Sequence, residues 1–281
     1  MKVLILSDLH MGHPSSRVEA SLDGLARLCA RYDRVIVNGD GMDRWEQPDP
    51  TPASRGWLAR LRAALTSRGG PPELVTGNHD PAVSETHYVY LTEPKLLAYH
   101  GDYMRDCSSP WLDFSPEFRR RLFAALESHG PARLFGARPA IFRRLQCELY
   151  LERPEIFEHR QFRPFRYLLF HATHPWRIAS VAHYLLRMPV WVAGAAGQFD
   201  RPVEHVAVGH SHRPGRWRRA GVRVYNTGSF MPLSRPYAVE VEGAAVRHVP
   251  LAALLDGLPR AVARDATASP RARLEAGSKQ I

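Results

Sequence analysis

The sequence predicts an α/β fold, and three observations lead to this prediction. Apolar runs of strand length alternate with helical spacing over the first hundred residues. A second series of strand-like runs begins near residue 206, and short polar segments follow most of the runs. With 281 residues and 44% hydrophobic content, the chain can bury one large core and an additional element.

The strands are predicted from short apolar runs bounded by polar, Gly or Pro residues. In the first part of the chain they lie at 3–6, 35–37, 74–75 and 96–99, and residues 17–32 and 57–65 have helical spacing between them. After residue 205 the pattern predicts strands at 206–208, 222–225, 237–241 and 245–249. The predicted core therefore has two parts, residues 1–102 and 205–250.

Residues 103–204 separate these two parts, and we interpret them as a helical cap insertion, called the insertion below. Residues 118–126 and 140–151 have helical spacing, and 165–191 interleaves aromatic residues and leucines with Arg166, Arg177 and Arg187. The insertion starts directly after the polar segment at 100–102 and ends just before the polar segment at 209–212. If these segments form a site at the strand ends, we expect the insertion to lie over that site. Alternatively, its apolar positions only pack against each other and the core.

The end of the chain, residues 251–281, is predicted to be a flexible C-terminal tail. Beyond Leu258 it is rich in Ala and charged residues and has no apolar period.

Five polar segments contain seven residues that can bind a metal. The segments are Asp8-Leu9-His10, Gly39-Asp40, Gly77-Asn78-His79-Asp80, His100-Gly101-Asp102 and Gly209-His210-Ser211-His212. Ligands gather at strand ends in α/β sheets, and carboxylate, amide and imidazole groups suit Mn²⁺, Fe²⁺ or Zn²⁺. Seven ligands are too many for one catalytic ion with an open position. The count favours two divalent ions that share a carboxylate, as in sites that cleave phosphate esters.

The order of these segments, D-x-H, G-D, G-N-H-D, H-G-D and G-H-x-H, resembles the calcineurin-like metallophosphoesterases over residues 1–102 and 205–245. The resemblance implies a two-sheet αββα sandwich with a metal site at the strand ends on one edge. It further implies that Asp8, His10, Asp40 and His212 bind one ion, and that Asp40, Asn78, His100 and His210 bind the other. Mn²⁺ is the expected metal, with Fe²⁺ or Zn²⁺ as alternatives.

The resemblance also implies the chemistry of the site. Metal coordination lowers the pKa of water toward 7 and so provides a nucleophile. Asn78 and His79 are the expected catalytic residues: the Asn78 amide can bind metal and face a phosphoryl oxygen, and His79 can donate to the phosphoryl or leaving group. Three further carboxylates are expected to orient imidazoles or backbone, namely Asp43, Asp80 and Asp102. For Asp43, the alternative is that it only caps the segment that follows it.

The substrate prediction depends on two segments and on the insertion. Residues 39–45, GDGMDRW, and 99–102, YHGD, followed by helices, resemble the UDP-2,3-diacylglucosamine hydrolases of lipid A synthesis. Those enzymes cleave a pyrophosphate and release UMP. His79 stands where they carry Arg, which leaves a broad-specificity phosphomonoesterase or phosphodiesterase open. A nuclease of the same superfamily is a further alternative, and a non-catalytic scaffold is disfavoured because every expected ligand is present.

The net charge of +10 supports an anionic partner without identifying it, and the resemblance implies that this partner is a phosphorylated substrate. A basic cluster follows the last pair of ligands and could also contact an anionic membrane surface: Arg213, Arg216, Arg218, Arg219 and Arg223. The alternative is that these are ordinary solvated arginines. Nucleic acid is disfavoured as a partner, because no interleaved aromatic platform appears outside the insertion. No substrate-binding residue is assigned by the sequence.

The remaining features favour a cytoplasmic enzyme, with peripheral contact to the inner face of the plasma membrane as an open possibility. No apolar run approaches the roughly 18 residues of a membrane span, and no signal-like segment precedes the first strand. The cysteines Cys29, Cys107 and Cys147 match neither a zinc spacing nor a disulfide framework.

Overall fold

The structure, a computed structural model, describes residues 1–45, 50–104, 116–128, 134–152 and 175–258. Two mixed five-stranded sheets pack face to face, and helices cover both outer faces. The predicted αββα sandwich is therefore confirmed.

The first sheet is built around three parallel strands. It contains β1 (Lys2–Leu6), β2 (Arg34–Asn38), β3 (Glu73–Val75), β9 (Tyr237–Glu242) and β10 (Ala245–Pro250). Their order is β10-β9-β1-β2-β3, and β9 and β10 run antiparallel to their neighbours. Ile5 pairs with Ile36, and Val37 with Leu74. The carboxyl ends of β1, β2 and β3 therefore meet at one edge of the sheet.

The second sheet also has three neighbouring parallel strands, but here one antiparallel strand lies at each edge. It contains β4 (Tyr88–Leu91), β5 (Leu96–Tyr99), β6 (His205–Val208), β7 (Gly215–Arg219) and β8 (Val222–Asn226). Their order is β4-β5-β6-β8-β7, with β5, β6 and β8 parallel. The edge strands β4 and β7 are antiparallel to β5 and β8.

The helices divide between the two outer faces. The first sheet is covered by α1 (Leu22–Cys29), preceded by a 3₁₀ turn (Glu19–Ser21), by α2 (Pro52–Ala64) and by α6 (Leu251–Asp256). Within the insertion, α3 (Pro116–Ser128), α4 (Ala137–Glu152) and α5 (Pro175–Ala196) pack on the second sheet. Between the sheets lies a third apolar layer that includes Ile5, Ile36, Leu96 and Ala207. Burial of apolar surface in three layers is the main stabilising contribution to this fold.

Two strands were not predicted from the sequence. The segment of β7, GRWRR, is an edge strand whose side chains are mostly exposed, so it carries no apolar alternation. The other is β4, which packs its alternate residues Val89 and Leu91 into the layer between the sheets.

Two predicted helices differ in their start. The helix expected from residue 17 begins only at Leu22, because the Arg17 N–H donates to the carbonyl of Phe230 and ties this segment to a distant loop. In contrast, α2 begins at Pro52, five residues earlier than expected. There the Thr51 hydroxyl accepts from the Ser54 N–H as an N-cap, and proline is favoured in the first turn.

The tail boundary predicted at residue 251 is wrong for the first residues of that segment. Leu251 to Asp256 form α6, which packs against α1, and Leu251 is buried. Its leucines cover the first sheet, a contact that a search for long periodic patterns misses in so short a helix. The rest of the predicted tail, residues 259–281, lies outside the described residues.

Several other predictions for the insertion can be placed. The helical segments 118–126 and 140–151 fall within α3 and α4, whereas Arg166, Cys107 and residues 165–174 lie outside the described part of the chain. None of the described helices combines the length and the apolar character that crossing a membrane requires.

Candidate metal centre

The seven predicted ligands all follow the carboxyl ends of parallel strands. Asp8 and His10 come after β1, Asp40 after β2 and Asn78 after β3 of the first sheet. In the second sheet, His100 comes after β5, and His210 and His212 come after β6. Each sheet therefore contributes one row of loops. Because the predicted ligands are divided between the two rows, a metal site can form only where the loops of both sheets lie close together.

Asn38, the last residue of β2, joins the two sheets beneath the site. Its buried amide nitrogen donates to the carbonyl of Tyr99 at 2.9 Å and to that of Ala207 at 3.1 Å, both in the second sheet. Its own carbonyl accepts from Nδ1 of His100 at 3.1 Å. The His100 ring therefore presents Nε2 to the site, which is the atom available to a metal.

One half of the centre is formed by Asp8, His10, Asp40 and His212, which we call the Asp8 group. One possible ligand atom from each residue lies within 4.8 Å of all the others. His212 Nε2 lies 3.2 Å from Asp8 Oδ1 and 3.1 Å from His10 Nε2, and His10 Nε2 lies 3.9 Å from Asp40 Oδ2.

The other half, the Asn78 group, contains Asp40, Asn78, His100 and His210. His100 Nε2 lies 3.2 Å from Asp40 Oδ2 and 3.1 Å from Asn78 Oδ1. His210 Nδ1 lies 2.7 Å from the same Asn78 oxygen. Asp40 Oδ2 thus lies near His10 of one group and His100 of the other, as is required of a carboxylate that two ions share.

These separations fit a divalent cation. Two ligand atoms that each lie about 2.1 Å from one ion are about 3.0–3.4 Å apart in octahedral or tetrahedral geometry. Four of the separations above, at 3.1 to 3.2 Å, agree with this range. The buried carboxylates, amide and imidazoles are also the donor set that such an ion takes.

The backbone of the site is unusual at five of the seven predicted ligands. Asp8, His10, Asp40, His210 and His212 have φ values of +52°, +48°, +51°, +63° and +53°. Such left-handed conformations cost about 1–3 kcal/mol each for residues with a Cβ, and they concentrate at functional sites. Repeated at matching positions after β1, β2 and β6, they direct the side chains from the strand ends into one space.

Two glycines allow the loops to approach each other. At Gly39, where φ is +83°, an added Cβ would collide with the ring of His100. At Gly209 it would collide with the carboxylate of Asp8. Each of these glycines therefore makes room for a predicted ligand that comes from the opposite sheet.

The electrostatics of the site favour a cation. Burial raises the pKa of Asp40, but the charges of His100 and His79 outweigh it and hold the pKa well below its usual value. Burial lowers the pKa of His100, whereas the Asp40 charge and hydrogen bond raise it, to about 10. The buried carboxylates thus stabilise positive charge, whether it is a proton or a divalent ion.

His79 lies at the solvent side of this cluster, with 27% of its side chain exposed. Its Nδ1 donates to the Asp43 carbonyl at 3.1 Å and lies 3.5 Å from the Asp43 carboxylate. Burial lowers the pKa of His79, but Asp40 and Asp43 raise it to about 9, so in the absence of metal the ring carries a proton at neutral pH. His10, Asp43 and His79 form a second cluster of possible ligand atoms.

The three carboxylates beside the predicted ligands have different roles. Asp43 faces the imidazoles of His10 and His79, as predicted. Asp80 accepts from the backbone N–H groups of Asp40, Met42 and Gly77, and so joins two ligand loops. Burial and the Asp40 charge raise the pKa of Asp80 to about 6.

Asp102 differs from the prediction, since among the described residues its hydrogen-bond partner is neither an imidazole nor the backbone. Instead it accepts from both terminal nitrogens of the buried Arg143 in α4, an interaction that the sequence analysis missed. Arg143 lies in a helix with weak periodicity and beside a second arginine, so no local signal distinguished it.

Two more residues of the insertion lie beside the site. The Tyr150 hydroxyl in α4 donates to the backbone carbonyl of Asn78 at 2.7 Å. In α5, the ring of Tyr184 packs edge-on against His210 with centroids 6.2 Å apart. The Arg213 guanidinium also reaches α5, at 3.4 Å from the carbonyl of Leu185. The insertion therefore contacts the loops that carry the predicted ligands.

Three of the solved structures that resemble this chain are only distantly similar to it in sequence. A single mutant of Vps29 from Entamoeba histolytica is 13% identical, with a TM-score of 0.41, covering 88% of this chain and 97% of that one. A predicted phosphoesterase from Streptococcus pneumoniae is 13% identical (TM-score 0.32; 88% and 86% covered). Phosphopantetheinyl hydrolase from Mycobacterium tuberculosis is 15% identical (TM-score 0.36; 81% and 89% covered).

A search of curated proteins finds no match. The sequence model of the calcineurin-like phosphoesterases, in contrast, matches residues 1–214, which is more than half of the chain and includes both rows of ligand loops. With a cluster of Asp and His side chains suited to a divalent metal, the chain is a metal-dependent phosphoester hydrolase. It belongs to the calcineurin-like phosphoesterase family.

Proposed function

We propose that this enzyme uses two divalent metal ions, with Mn²⁺ as the proposed metal, to hydrolyse phosphoester or phosphoanhydride bonds. The Asp8 group would hold one ion and the Asn78 group the other, with Asp40 shared between them. The observation that carries this proposal is the spacing of about 3 Å between donor atoms that come from two different sheets. When bound, the ions would supply a nucleophile from water and neutralise the charge of the phosphoryl group.

The protein's own residues would position the substrate and move protons. The Asn78 amide nitrogen would donate to a phosphoryl oxygen while its oxygen serves as a ligand. His79 is held through Nδ1 by Asp43, so its Nε2 remains to donate a proton to the leaving oxygen. The hydrogen bond from the His79 N–H to Asp40 Oδ1, at 2.9 Å, fixes His79 next to the shared carboxylate.

For the substrate we propose a nucleotide-linked or lipid-linked pyrophosphate such as UDP-2,3-diacylglucosamine, cleaved to release UMP in the cytoplasm. Three observations support it: the net charge of +10, exposed arginines on β7, and the helices of the insertion beside the site. The helix α5 also exposes apolar side chains, at Ile178, Leu186 and Val190, that an acyl chain or a membrane surface could contact. The alternative is a broad-specificity phosphomonoesterase or phosphodiesterase.

The two-metal proposal is tested with Asp40→Asn and His210→Ala on a generic aryl phosphodiester with Mn²⁺. We expect both changes to abolish turnover, with a loss of more than about 10³ in kcat/KM, because each removes a ligand. Asp23→Asn on the exposed face of α1 is the matched control and should hydrolyse the ester normally. Circular dichroism establishes that the fold is intact, and retained turnover in both variants would reject the assigned centre.

The substrate proposal needs a separate assay. Purified enzyme is incubated with UDP-2,3-diacylglucosamine and, in parallel, with the aryl phosphodiester and a DNA duplex, and release of UMP is followed. Cleavage of only the aryl ester removes the lipid-linked substrate and favours broad specificity. Cleavage of DNA that weakens steeply with salt would instead favour a nuclease.

A further inference from the structure

One face of α4 contacts the loop that follows β3 and carries Asn78. Arg143 Nε donates to the Thr76 hydroxyl at 3.0 Å, and Nη2 donates to the Thr76 carbonyl at 2.9 Å. Seven residues later, two helical turns along the same face, Tyr150 donates to the Asn78 carbonyl at 2.7 Å. Three hydrogen bonds from the insertion therefore hold a segment of three residues, 76–78.

The same arginine also reaches the His100 segment. Arg143 forms a two-pronged ion pair with Asp102, two residues after His100, and Arg143, Asp102 and Thr76 are all buried. The planar guanidinium suits this arrangement because its donors point in fixed directions. Arg143 thus joins the loop that carries Asn78 to the loop that carries His100.

The Asp8 group is held differently. Both oxygens of Asp8 accept from the backbone N–H of His210, at 3.0 and 3.1 Å. The carbonyl of His212 accepts from the Ser234 hydroxyl at 2.6 Å, and the His10 N–H donates to the carbonyl of Asp40 at 2.9 Å. All of these partners lie in the core, outside the insertion.

We propose that Arg143 and Tyr150 are positioning residues for the Asn78 half of the metal centre, so that α4 controls binding of one ion and not of the other. Asn78 can serve as a ligand only while its loop keeps the Oδ1 atom facing His100 and His210. Without α4, the segment 76–78 would lose three of its hydrogen bonds. This inference rests on the proposed assignment of Asn78 and Asp8 to different ions.

The test is titration of Mn²⁺ into metal-depleted, full-length protein, followed by calorimetry and by electron paramagnetic resonance of the bound ions. The central variant is Tyr150→Phe, which removes one hydroxyl and keeps the ring. The matched control is Tyr103→Phe, since Tyr103 is also buried but its hydroxyl donates to the backbone carbonyl of His87 at 3.3 Å rather than to the Asn78 segment. Asn78→Ala serves as the reference for loss of a direct ligand.

We expect wild type and Tyr103→Phe to bind two ions that give a coupled signal. In Tyr150→Phe, one ion should bind about 10-fold to 100-fold more weakly, as is usual for loss of a residue that orients a ligand. The other ion should bind as in wild type, and at limiting Mn²⁺ the coupled signal should give way to that of isolated ions. A purely structural role would weaken both ions together or neither.

A second variant, Arg143→Lys, keeps the charge beside Asp102 but loses the forked contacts to Thr76. If Tyr150→Phe fails to fold, Arg143→Lys takes its place in the test, and we expect it to show the same selective loss of affinity for one ion. Unchanged affinity for both ions in folded Tyr150→Phe, or an equal loss in Tyr103→Phe, overturns the inference while the metal assignment stands. Binding of fewer than two ions by wild type, or of both ions by Asn78→Ala, overturns the assignment itself and the inference with it.

Discussion

The core and the insertion contribute differently to the same centre. The core, residues 1–102 and 205–258, carries every predicted ligand on loops that follow parallel strands. The insertion carries none of these ligands, yet Arg143, Tyr150 and Tyr184 contact the segments that do. The proposed chemistry therefore depends on the core, whereas the insertion contacts the loops that carry the predicted ligands. A residue can thus matter to the centre without being one of its ligands.

The largest effect expected within this comparison is on catalysis in the core. His79→Gln should lower kcat by about 10²–10⁴, because it removes a proton donor and acceptor while the ligand set stays intact. Steady-state kinetics on the aryl phosphodiester measure the loss, and elemental analysis measures the metal content. If His79→Gln also binds less metal, the prediction is contradicted and His79 is itself a metal ligand, in the cluster that it forms with His10 and Asp43.

A large effect on stability is expected where the insertion meets the core. Arg143→Met leaves the buried carboxylate of Asp102 without its partner, which should lower the free energy of unfolding by about 3–5 kcal/mol. Urea denaturation measures this change. Adding Asp102→Asn should recover part of the loss, because the double variant no longer buries an unpaired charge. If Asp102→Asn recovers none of the free energy of unfolding, the loss in Arg143→Met comes mainly from the contacts to Thr76 and not from the ion pair.

A smaller effect concerns acid stability at the same boundary. Burial lowers the pKa of His87 from 6.5 to about 4, and the charge of Arg143 acts in the same direction. Between these values the unfolded chain binds a proton that the folded chain does not, so stability is lost as the pH falls below 6.5. His87→Asn should therefore lose less stability than wild type between pH 7 and pH 5.

Urea midpoints at the two pH values measure this difference. His183→Asn, at an exposed position of α5, is the control and should follow wild type. An identical pH dependence in His87→Asn would show that other groups account for the acid sensitivity.

The smallest effect is expected for an exposed ion pair that joins α3 to α4. Arg121 donates to both oxygens of Glu152 at 2.7 and 3.0 Å, but both side chains are exposed. Glu152→Gln should change the free energy of unfolding by only about 0.2–1 kcal/mol, because water screens the pair. In both pairs an arginine donates to two carboxylate oxygens, but only the Arg143 pair is buried. Comparing Glu152→Gln with Arg143→Met therefore separates the effect of burial on stability from that of the hydrogen-bond pattern. A loss as large as that of Arg143→Met would contradict this explanation.

The sequence was informative wherever neighbouring residues decide the structure. The apolar runs of β1, β2, β5 and β6 and the polar segments after them depend on local periodicity, so the ligand segments could be predicted directly. The prediction failed where no local pattern exists, as in the arginine-rich edge strand β7 and in the short α6, which is held by packing on α1.

The sequence by itself predicted the candidate metal ligands and their order, and it determined the fold class that places them after strands. Only the tertiary structure decided which of them are adjacent, how Asp102 is used, and that Arg143 and Tyr150 lie beside the site. The reason is that periodicity reports a residue's environment within a turn or a strand. The contact of Arg143 with Thr76, 67 positions away, exists only because two sheets and a helix pack together.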